Sequence, residues 1–188
     1  MPFQQNIWDN ENLVKVLKAD GVGVMPTDTL YGIVGKAKTE KVVNRIYTIR
    51  KRAPDKPCII LIGDIGELNK FSMTLSKEQE NKIQEFKEPV SFILDCPDEK
   101  LSYLHRGTKT LAFRLPAQKD LQELLKKTGP LIAPSANLEN LPPAQNISEA
   151  KKYFGDAVDL YIDGGTIKNK ASKVIKLNKD GSVEVLRF

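Results

Sequence analysis

The sequence is poor in the residues that mark several classes of protein. It has two cysteines and one histidine in 188 residues, which gives no spacing for a disulfide framework or a zinc site. Cys58 and Cys96 each lie in an apolar, strand-like stretch, so we expect two small buried side chains in a reducing cytoplasm. His105, the single histidine, is interpreted as a surface or structural residue without a catalytic role.

Long apolar runs and a targeting segment are also missing. Residues 1–6 have no basic region followed by an apolar run, and the apolar stretches are far too short to cross a bilayer. We therefore expect neither secretion nor a membrane location. No internal repeat or low-complexity tract is visible, and 40% hydrophobic with 28% charged residues fits one globular domain over residues 1–188.

Acidic charge is only slightly outweighed by basic charge. The 29 Lys+Arg and 24 Asp+Glu residues give a net charge of +5 and a pI near 9.1, which allows a nucleic-acid or polyanion partner without requiring one. Four cations fall within residues 50–57, here called the basic turn. Its two prolines restrict the backbone of the turn. The guanidinium groups that it carries are suited to pairing with phosphate or carboxylate. The alternative is a solvated helix C-terminus whose cations complement the helix dipole.

Apolar periodicity alternates between helical and strand spacing along the chain. We predict helices over residues 12–19, 39–49, 76–87, 119–128 and 148–155, and strands over 22–26, 58–62, 89–96, 110–116, 131–137, 158–163, 171–177 and 182–188. Ser76 with Gln79 indicates a capping box, and Ser148 is the predicted cap of a later helix. Residues 27–35 are predicted to form a hydroxyl-rich loop, and 101–106 a short strand or turn. The alternation favours an α/β sheet.

Polar residues interrupt two of these strands. Arg114 is either an edge residue that faces water or a ligand-facing cation that is paired only when an anion binds. Ser135 and Asn137 stand where a strand ends, which is where an open α/β sheet usually binds its ligand. Both residues also favour turns by bonding their own backbone, so that alternative stays open.

Four short motifs together resemble the YrdC family, in the order that this family has them, from about residue 21 to residue 187. They are residues 26–32 at the PT-[ED]-T-x-Y-G loop, Arg50-Lys51-Arg52 at K-x-R, residues 113–116, and Ser135-Ala136-Asn137 at S-x-N. The chain also departs from the family pattern. Arg50 stands where the family usually has lysine, Ala53 where it has proline, and Pro134 where it has threonine, and Glu139-Asn140 replaces the usual Ser-Gly. Arg50 keeps the charge but changes reach and hydrogen-bond geometry, so an altered rate is one expected consequence.

The resemblance implies a single-domain twisted mixed sheet flanked by helices, without the second domain of longer relatives. It also implies an L-threonylcarbamoyladenylate synthase, which forms threonylcarbamoyl-AMP and pyrophosphate from ATP, L-threonine and bicarbonate. The product would serve tRNA threonylcarbamoyladenosine modification through a downstream tRNA threonylcarbamoyl-transferase complex. Mg²⁺ is expected to arrive with ATP, held by phosphates and water, because no carboxylate cluster indicates a dedicated metal site.

The resemblance also assigns site residues, position by position. For ATP they are Arg52, Lys56, Ser135, Asn137 and Arg187; for threonine they are Thr29, Thr110, Arg114 and Ser172; Arg50, Arg52, Ser135 and Asn137 are expected to carry catalysis. Arg114 would pair the threonine carboxylate, and Arg50 with Arg52 would lie near the triphosphate. Charge neutralisation and positioning can supply most of the rate in such a transfer, so no protein nucleophile is required.

Three other functions stay open at this point. The first is a YrdC-like module that binds tRNA or double-stranded RNA on the same basic face without chemistry. The second is a paralogue of the family that forms another acyl-adenylate. The third is a carbamoyl-phosphate-using relative in hydrogenase maturation, which is disfavoured because that relative is a large multidomain protein.

Overall fold

The computed structural model describes residues 6–188, so the sequence interpretation of residues 1–5 lies outside the described part. Within that part, six α-helices and nine β-strands are formed. The helices are α1 (Glu11–Lys18), α2 (Glu40–Arg50), α3 (Lys77–Glu85), α4 (Ser102–His105), α5 (Lys119–Thr128) and α6 (Ile147–Phe154). The strands are β1 (Gly23–Pro26), β2 (Tyr31–Lys36), β3 (Ile59–Leu61), β4 (Val90–Asp95), β5 (Thr110–Arg114), β6 (Leu131–Ile132), β7 (Leu160–Tyr161), β8 (Lys173–Leu177) and β9 (Val183–Arg187). Short 3₁₀ segments lie at Ile65–Phe71, Glu99–Leu101 and Gly155–Ala157.

The nine strands form one sheet in the order β7-β1-β2-β6-β3-β5-β4-β8-β9. Three pairs are parallel, β1 with β7, β3 with β5, and β4 with β8. The remaining neighbours run antiparallel, including the β1–β2 and β8–β9 hairpins. The prediction of a mixed α/β sheet flanked by helices is confirmed. Strand β9 lies at one edge, and all five of its residues are exposed.

Helices cover both faces of the sheet because successive strand side chains point to opposite sides. On β3, Ile60 belongs to one apolar cluster and Leu61 to the other. Helices α2 and α6 contribute Ile46 and Phe154 to the larger cluster, whereas α1 and α5 contribute leucines to the smaller one. The two clusters fix the sheet from both sides and leave its strand ends available for a site.

The prediction of a loop over residues 27–35 is wrong for most of that range. Only residues 27–30 turn, closed by a hydrogen bond from Thr27 N–H to the Leu30 carbonyl at 2.9 Å, and Tyr31–Lys36 is strand β2. The two glycines suggested a loop, but Gly35 serves packing, since a Cβ there would collide with Val42 of α2. A glycine inside a strand often marks a close approach by another element, so glycine does not signal a turn alone.

The short strand or turn predicted at residues 101–106 is helical instead. Asp98 caps the preceding 3₁₀ segment Glu99–Leu101 by accepting the Lys100 N–H at 3.0 Å, and α4 ends at His105, followed by Arg106 in the left-handed region. His105 is buried, and its Nδ1 accepts the N–H of Gly107 at 3.1 Å, so its role is structural. Cys58 and Cys96 are free and buried, as predicted.

Helix α6 begins at a different cap from the predicted Ser148. The Asn146 side-chain oxygen accepts the Glu149 N–H at 2.9 Å, and its amide donates to the Glu149 carboxylate at 2.9 Å. Ser148 lies inside the helix and is exposed. The cap therefore stands two residues earlier than the hydroxyl that the sequence suggested.

This cap gives a stability prediction with a matched control. Asn146→Ala is expected to lower the free energy of unfolding by about 1 kcal/mol, because a helix N–H loses its acceptor. Ser148→Ala is expected to change it by less than about 0.5 kcal/mol, as for an exposed site without a special contact. Urea unfolding followed by circular dichroism measures both variants. Equal losses would contradict the assignment of the cap.

Candidate functional site

A cavity of about 480 Å³ opens among the strand ends, the turn between β1 and β2, and the basic turn. Seven of the ten residues predicted for the site line this cavity: Thr29, Arg52, Thr110, Arg114, Ser135, Ser172 and Arg187. Residues from every motif quoted above therefore converge on one space. Arg50, Lys56 and Asn137 do not line it.

The convergence follows from strand pairing around β2. After β6 the chain continues beside β2, where Ser135 bridges Gly32, Ile33 N–H donates to the Pro134 carbonyl at 3.0 Å, and Ala136 N–H donates to the Tyr31 carbonyl at 2.8 Å. The motif at residues 26–32 and the motif at residues 135–137 are thus joined by backbone hydrogen bonds. Their side chains share one wall of the cavity although the motifs are distant in sequence.

Arg114 is buried and already paired, so it is not an edge residue that faces water, and the expectation that only a bound anion pairs it is wrong; its role toward a ligand stays a prediction. Its Nη2 lies 2.9 Å from Asp28 Oδ1, and the two side chains are 5% and 1% exposed. Weaker contacts run from Nη1 to Ser172 Oγ and from Nη2 to Thr27 Oγ1, each at 3.3 Å. Arg114 therefore neither faces bulk water nor waits for a bound anion to supply its partner.

Asp28 was missed at the sequence level, and its environment makes it unusual. Apart from the ion pair, no well-directed hydrogen bond reaches either of its carboxylate oxygens from the residues described. Burial raises the pKa of Asp28, and the nearby Arg114 opposes that shift. Burial likewise lowers the pKa of Arg114, with Asp28 acting the other way. The sequence signals were the acidic position of the motif at residues 26–32 and its place between two threonines that precede a buried strand.

Arg52 and Arg187 are the two lining arginines whose charge is not compensated by an ion pair in the described part of the chain. Arg52 donates to the carbonyls of Lys56 and Pro57 at 3.0 and 2.9 Å. Arg187 donates from Nε and Nη2 to the Ser172 carbonyl at 3.1 and 2.9 Å. Each guanidinium has five N–H donors, so each keeps donors for an anion in the cavity.

Arg50 is buried against the Ser135–Asn137 motif. Its Nε donates to the Asn137 carbonyl at 3.1 Å, and its Nη2 donates to Asn137 Oδ1 at 3.1 Å and to Ser135 Oγ at 3.5 Å. Burial, with the nearby charge of Arg52, lowers the pKa of Arg50 to about 10. In this position Arg50 fixes the wall of the cavity from outside it. Its predicted catalytic role stays a prediction.

The side-chain contacts of Asn137 are those of a residue that stabilises a turn, more than those of a residue that faces a ligand. Its Oδ1 accepts the Ser135 hydroxyl at 2.6 Å, and its Nδ2 donates to the carbonyls of Leu138 and Leu141 at 2.7 and 2.9 Å. Ser135 is half-buried, and it lines the cavity. Asn137 thereby orients the serine hydroxyl that a ligand would meet.

Hydroxyl groups form the rest of the polar lining, and neighbouring hydroxyls orient them. Thr29 Oγ1 lies 3.3 Å from Thr27 Oγ1, and Ser172 Oγ lies 2.9 Å from Ser91 Oγ. Thr110 Oγ1 is in the same way 3.1 Å from Thr108 Oγ1. Such pairs leave lone pairs or protons free for a ligand while restricting hydroxyl rotation.

Residues 6–188 contain neither a cluster of candidate metal ligands nor a candidate membrane-spanning helix. No group of three or more His, Cys, Asp or Glu side chains stands close enough there to hold a metal ion. Nor does that region contain a helix with the length and apolar character needed to cross a bilayer.

One mixed sheet with an arginine- and hydroxyl-lined cavity at its strand ends defines an α/β protein suited to small anionic ligands. The model of the Sua5/YciO/YrdC family, described as telomere recombination, matches residues 15–188, and the chain belongs to this family. The family resemblance drawn from the four motifs is confirmed.

Individual relatives agree with this assignment. A Hahella chejuensis protein named threonylcarbamoyl-AMP synthase is 28% identical over 159 residues, covering 84% of this chain and 86% of the relative. The structure of Pyrococcus abyssi Sua5 complexed with L-threonine is similar with a TM-score of 0.84 and 26% identity, over 96% of this chain and 54% of that one. Escherichia coli YciO gives a TM-score of 0.79 at 26% identity, over 100% of this chain and 90% of that one.

Proposed function

We propose that this protein is an L-threonylcarbamoyladenylate synthase, which converts ATP, L-threonine and bicarbonate into threonylcarbamoyl-AMP and pyrophosphate. The observation that carries the proposal is the convergence of three arginines and four of the predicted hydroxyl side chains, drawn from distant parts of the chain, on one cavity. The name of the Hahella relative and the threonine bound to Pyrococcus abyssi Sua5 support the same substrates.

The proposed chemistry needs positive charge more than a nucleophile. The threonine amine adds to carbon dioxide derived from bicarbonate and gives a carbamate. A carbamate oxygen then forms a bond to the α-phosphorus of ATP, while the bond to the β-phosphate oxygen breaks and pyrophosphate leaves. Arg52 and Arg187 would neutralise these anions, and positioning alone can contribute roughly 7–11 kcal/mol to such a reaction.

Arg114 would act differently from the other two arginines in this proposal. Asp28 compensates its charge and holds its guanidinium, so its contribution to the threonine carboxylate is directed hydrogen bonding more than net charge. Mg²⁺ would arrive with ATP, with its ligands supplied by the phosphates and water. The threonine hydroxyl would then meet the polar side chains of Thr29, Thr110 or Ser172.

The wider setting is part of the same proposal. The product would pass to a tRNA threonylcarbamoyl-transferase complex, and the two free cysteines agree with a reducing cytoplasm. An RNA-binding module without chemistry would need an exposed basic face but no cavity lined by oriented hydroxyls. The cavity therefore favours catalysis over the RNA-binding alternative, and the structure assigns no surface to tRNA.

Pyrophosphate release with ATP, Mg²⁺ and bicarbonate tests the function, and the choice of amino acid tests the site. Release is expected to depend on L-threonine, and serine is expected to compete better than valine. A missing methyl group costs roughly 1–3 kcal/mol, whereas a site built to bond a hydroxyl can discriminate by about 10⁴-fold. Release independent of threonine would overturn the proposed function. Valine equal to serine would overturn the hydroxyl contact alone.

A further inference from the structure

Glu139 ties the basic turn to the loop that follows the cavity wall. Its carboxylate accepts a hydrogen bond from Lys56 Nζ at 2.6 Å and a second one from the Ala53 N–H. Its own N–H donates to the Arg50 carbonyl at 2.9 Å. One acidic residue thus contacts three residues of the basic turn.

The position of Glu139 gives this carboxylate influence over an anion in the cavity. Lys56 is the main cause of the lowered pKa of Glu139, and Arg52, which lines the cavity, acts in the same direction. Glu139 is therefore ionised at neutral pH beside the cations that an anion would need. Asn140, which follows it, adopts the left-handed region with φ 66°.

Lys56 is held by this contact but remains within reach of solvent. Its side chain is 55% exposed, whereas that of Glu139 is 15% exposed. Lysine has a flexible four-carbon stem, and its ammonium can leave one anion for another of higher charge. Since an exposed ion pair is worth little, a nucleotide triphosphate can compete for Lys56.

We propose that Glu139 sets the affinity of the cavity for ATP by holding Lys56, which must leave Glu139 before it can pair with the triphosphate. The inference rests on the proposed function for the identity of the anion, and it adds a residue that the sequence motifs do not assign to the site. Glu139 acts through Lys56, so it is a positioning residue and not a catalytic one.

A double-mutant cycle on Lys56 and Glu139 tests this proposal, with ATP affinity measured by calorimetry in the absence of threonine. Glu139→Gln is expected to tighten ATP binding by about threefold to tenfold at low ionic strength, and by less in high salt. Lys56→Met is expected to weaken binding by about the same factor, because the triphosphate then loses the ammonium group that would pair with it. In the Lys56→Met background, Glu139→Gln should change the affinity by less than about twofold, because Glu139 no longer has Lys56 to hold.

A second ion pair provides the matched control. Glu123 and Lys126 pair at 2.8 Å on α5, and neither lines the cavity, so Glu123→Gln is expected to leave ATP affinity unchanged. Weaker ATP binding in Glu139→Gln, or an equal gain with and without Lys56, would overturn the inference. ATP binding with the expected cycle but without threonine-dependent pyrophosphate release would overturn only the proposed function. A wild-type chain that fails to bind ATP would overturn both.

Discussion

Replacing Arg114 by methionine is expected to lower the free energy of unfolding by about 3–5 kcal/mol. Methionine keeps an unbranched stem of similar length but leaves Asp28, whose side chain is 1% exposed, as an uncompensated buried charge. Breaking one side of a buried ion pair costs more than the pair itself contributes, because the remaining charge has lost both water and its partner. Urea unfolding at pH 8 measures the effect.

The loss should also depend on pH, in a direction fixed by Asp28. Without Arg114, burial remains the largest influence on Asp28, and it raises the pKa of this carboxyl above its ordinary value. A folded state that holds a proton more tightly than the unfolded state is stabilised at low pH, and this contribution is lost as the pH rises through the folded-state pKa. Arg114→Met should therefore lie closer to wild type at pH 5 than at pH 8.

The control for this prediction is a double variant in which both members of the ion pair are replaced by uncharged residues. Asp28→Asn combined with Arg114→Met removes both charges, and it is expected to recover a large part of the stability lost by Arg114→Met and most of its pH dependence. An Arg114→Met variant as stable as the wild type at both pH values would mean that Asp28 is hydrated or neutral in the folded protein.

Replacing Arg52 by alanine is expected to reduce pyrophosphate release by about 100- to 1,000-fold, the effect of removing one donor that stabilises developing charge. Arg52 lines the cavity and has no carboxylate partner in the described region, so its loss removes net positive charge from the site. Its two hydrogen bonds to backbone carbonyls lie in a surface turn, and the fold is expected to persist by circular dichroism.

Lys51, in the same turn, provides a control that distinguishes a specific role of Arg52 from the effect of the turn's total charge. Lys51 is exposed, has φ 51° and does not line the cavity. Lys51→Asn removes the same charge while placing a residue that tolerates this backbone conformation, and it should keep most of the activity. Equal losses in the two variants would show that the turn acts only through its total charge, and loss of the fold in Arg52→Ala would make Arg52 structural.

Local signals in the sequence predicted the elements that local physics determines. Helix α5 has the predicted bounds of Lys119–Thr128, since its leucines repeat at helical spacing, and the capping box at Ser76 and Gln79 is present. Strand β2 was predicted as a loop because glycine signals a turn and close packing alike. Which of these meanings applies depends on the helix that packs against the strand, and the sequence window does not contain that helix.

The site was predictable as a set of motifs but not as a geometry. The motifs named residues that meet, and seven of ten line one cavity. A motif does not tell which of its side chains faces the ligand, so Arg50 and Asn137 were placed with the ligand although they lie outside the cavity. The partner of Arg114 could not be inferred, because Asp28 reaches it only through the order of strands in the sheet.

The distribution of the site along the chain also bears on when the protein can bind a ligand during its synthesis. Arg114 contacts Thr27 and Asp28 from the first hairpin, and Ser172, which precedes β8. Arg187 of β9 donates hydrogen bonds to the backbone carbonyl of the same serine. Ribosomes add about 5–20 residues per second, so the first hairpin emerges many seconds before β9 completes the wall. Contacts this distant form late because long loops must close first. A nascent chain therefore lacks the complete cavity until β9, the last strand, has emerged and paired with β8.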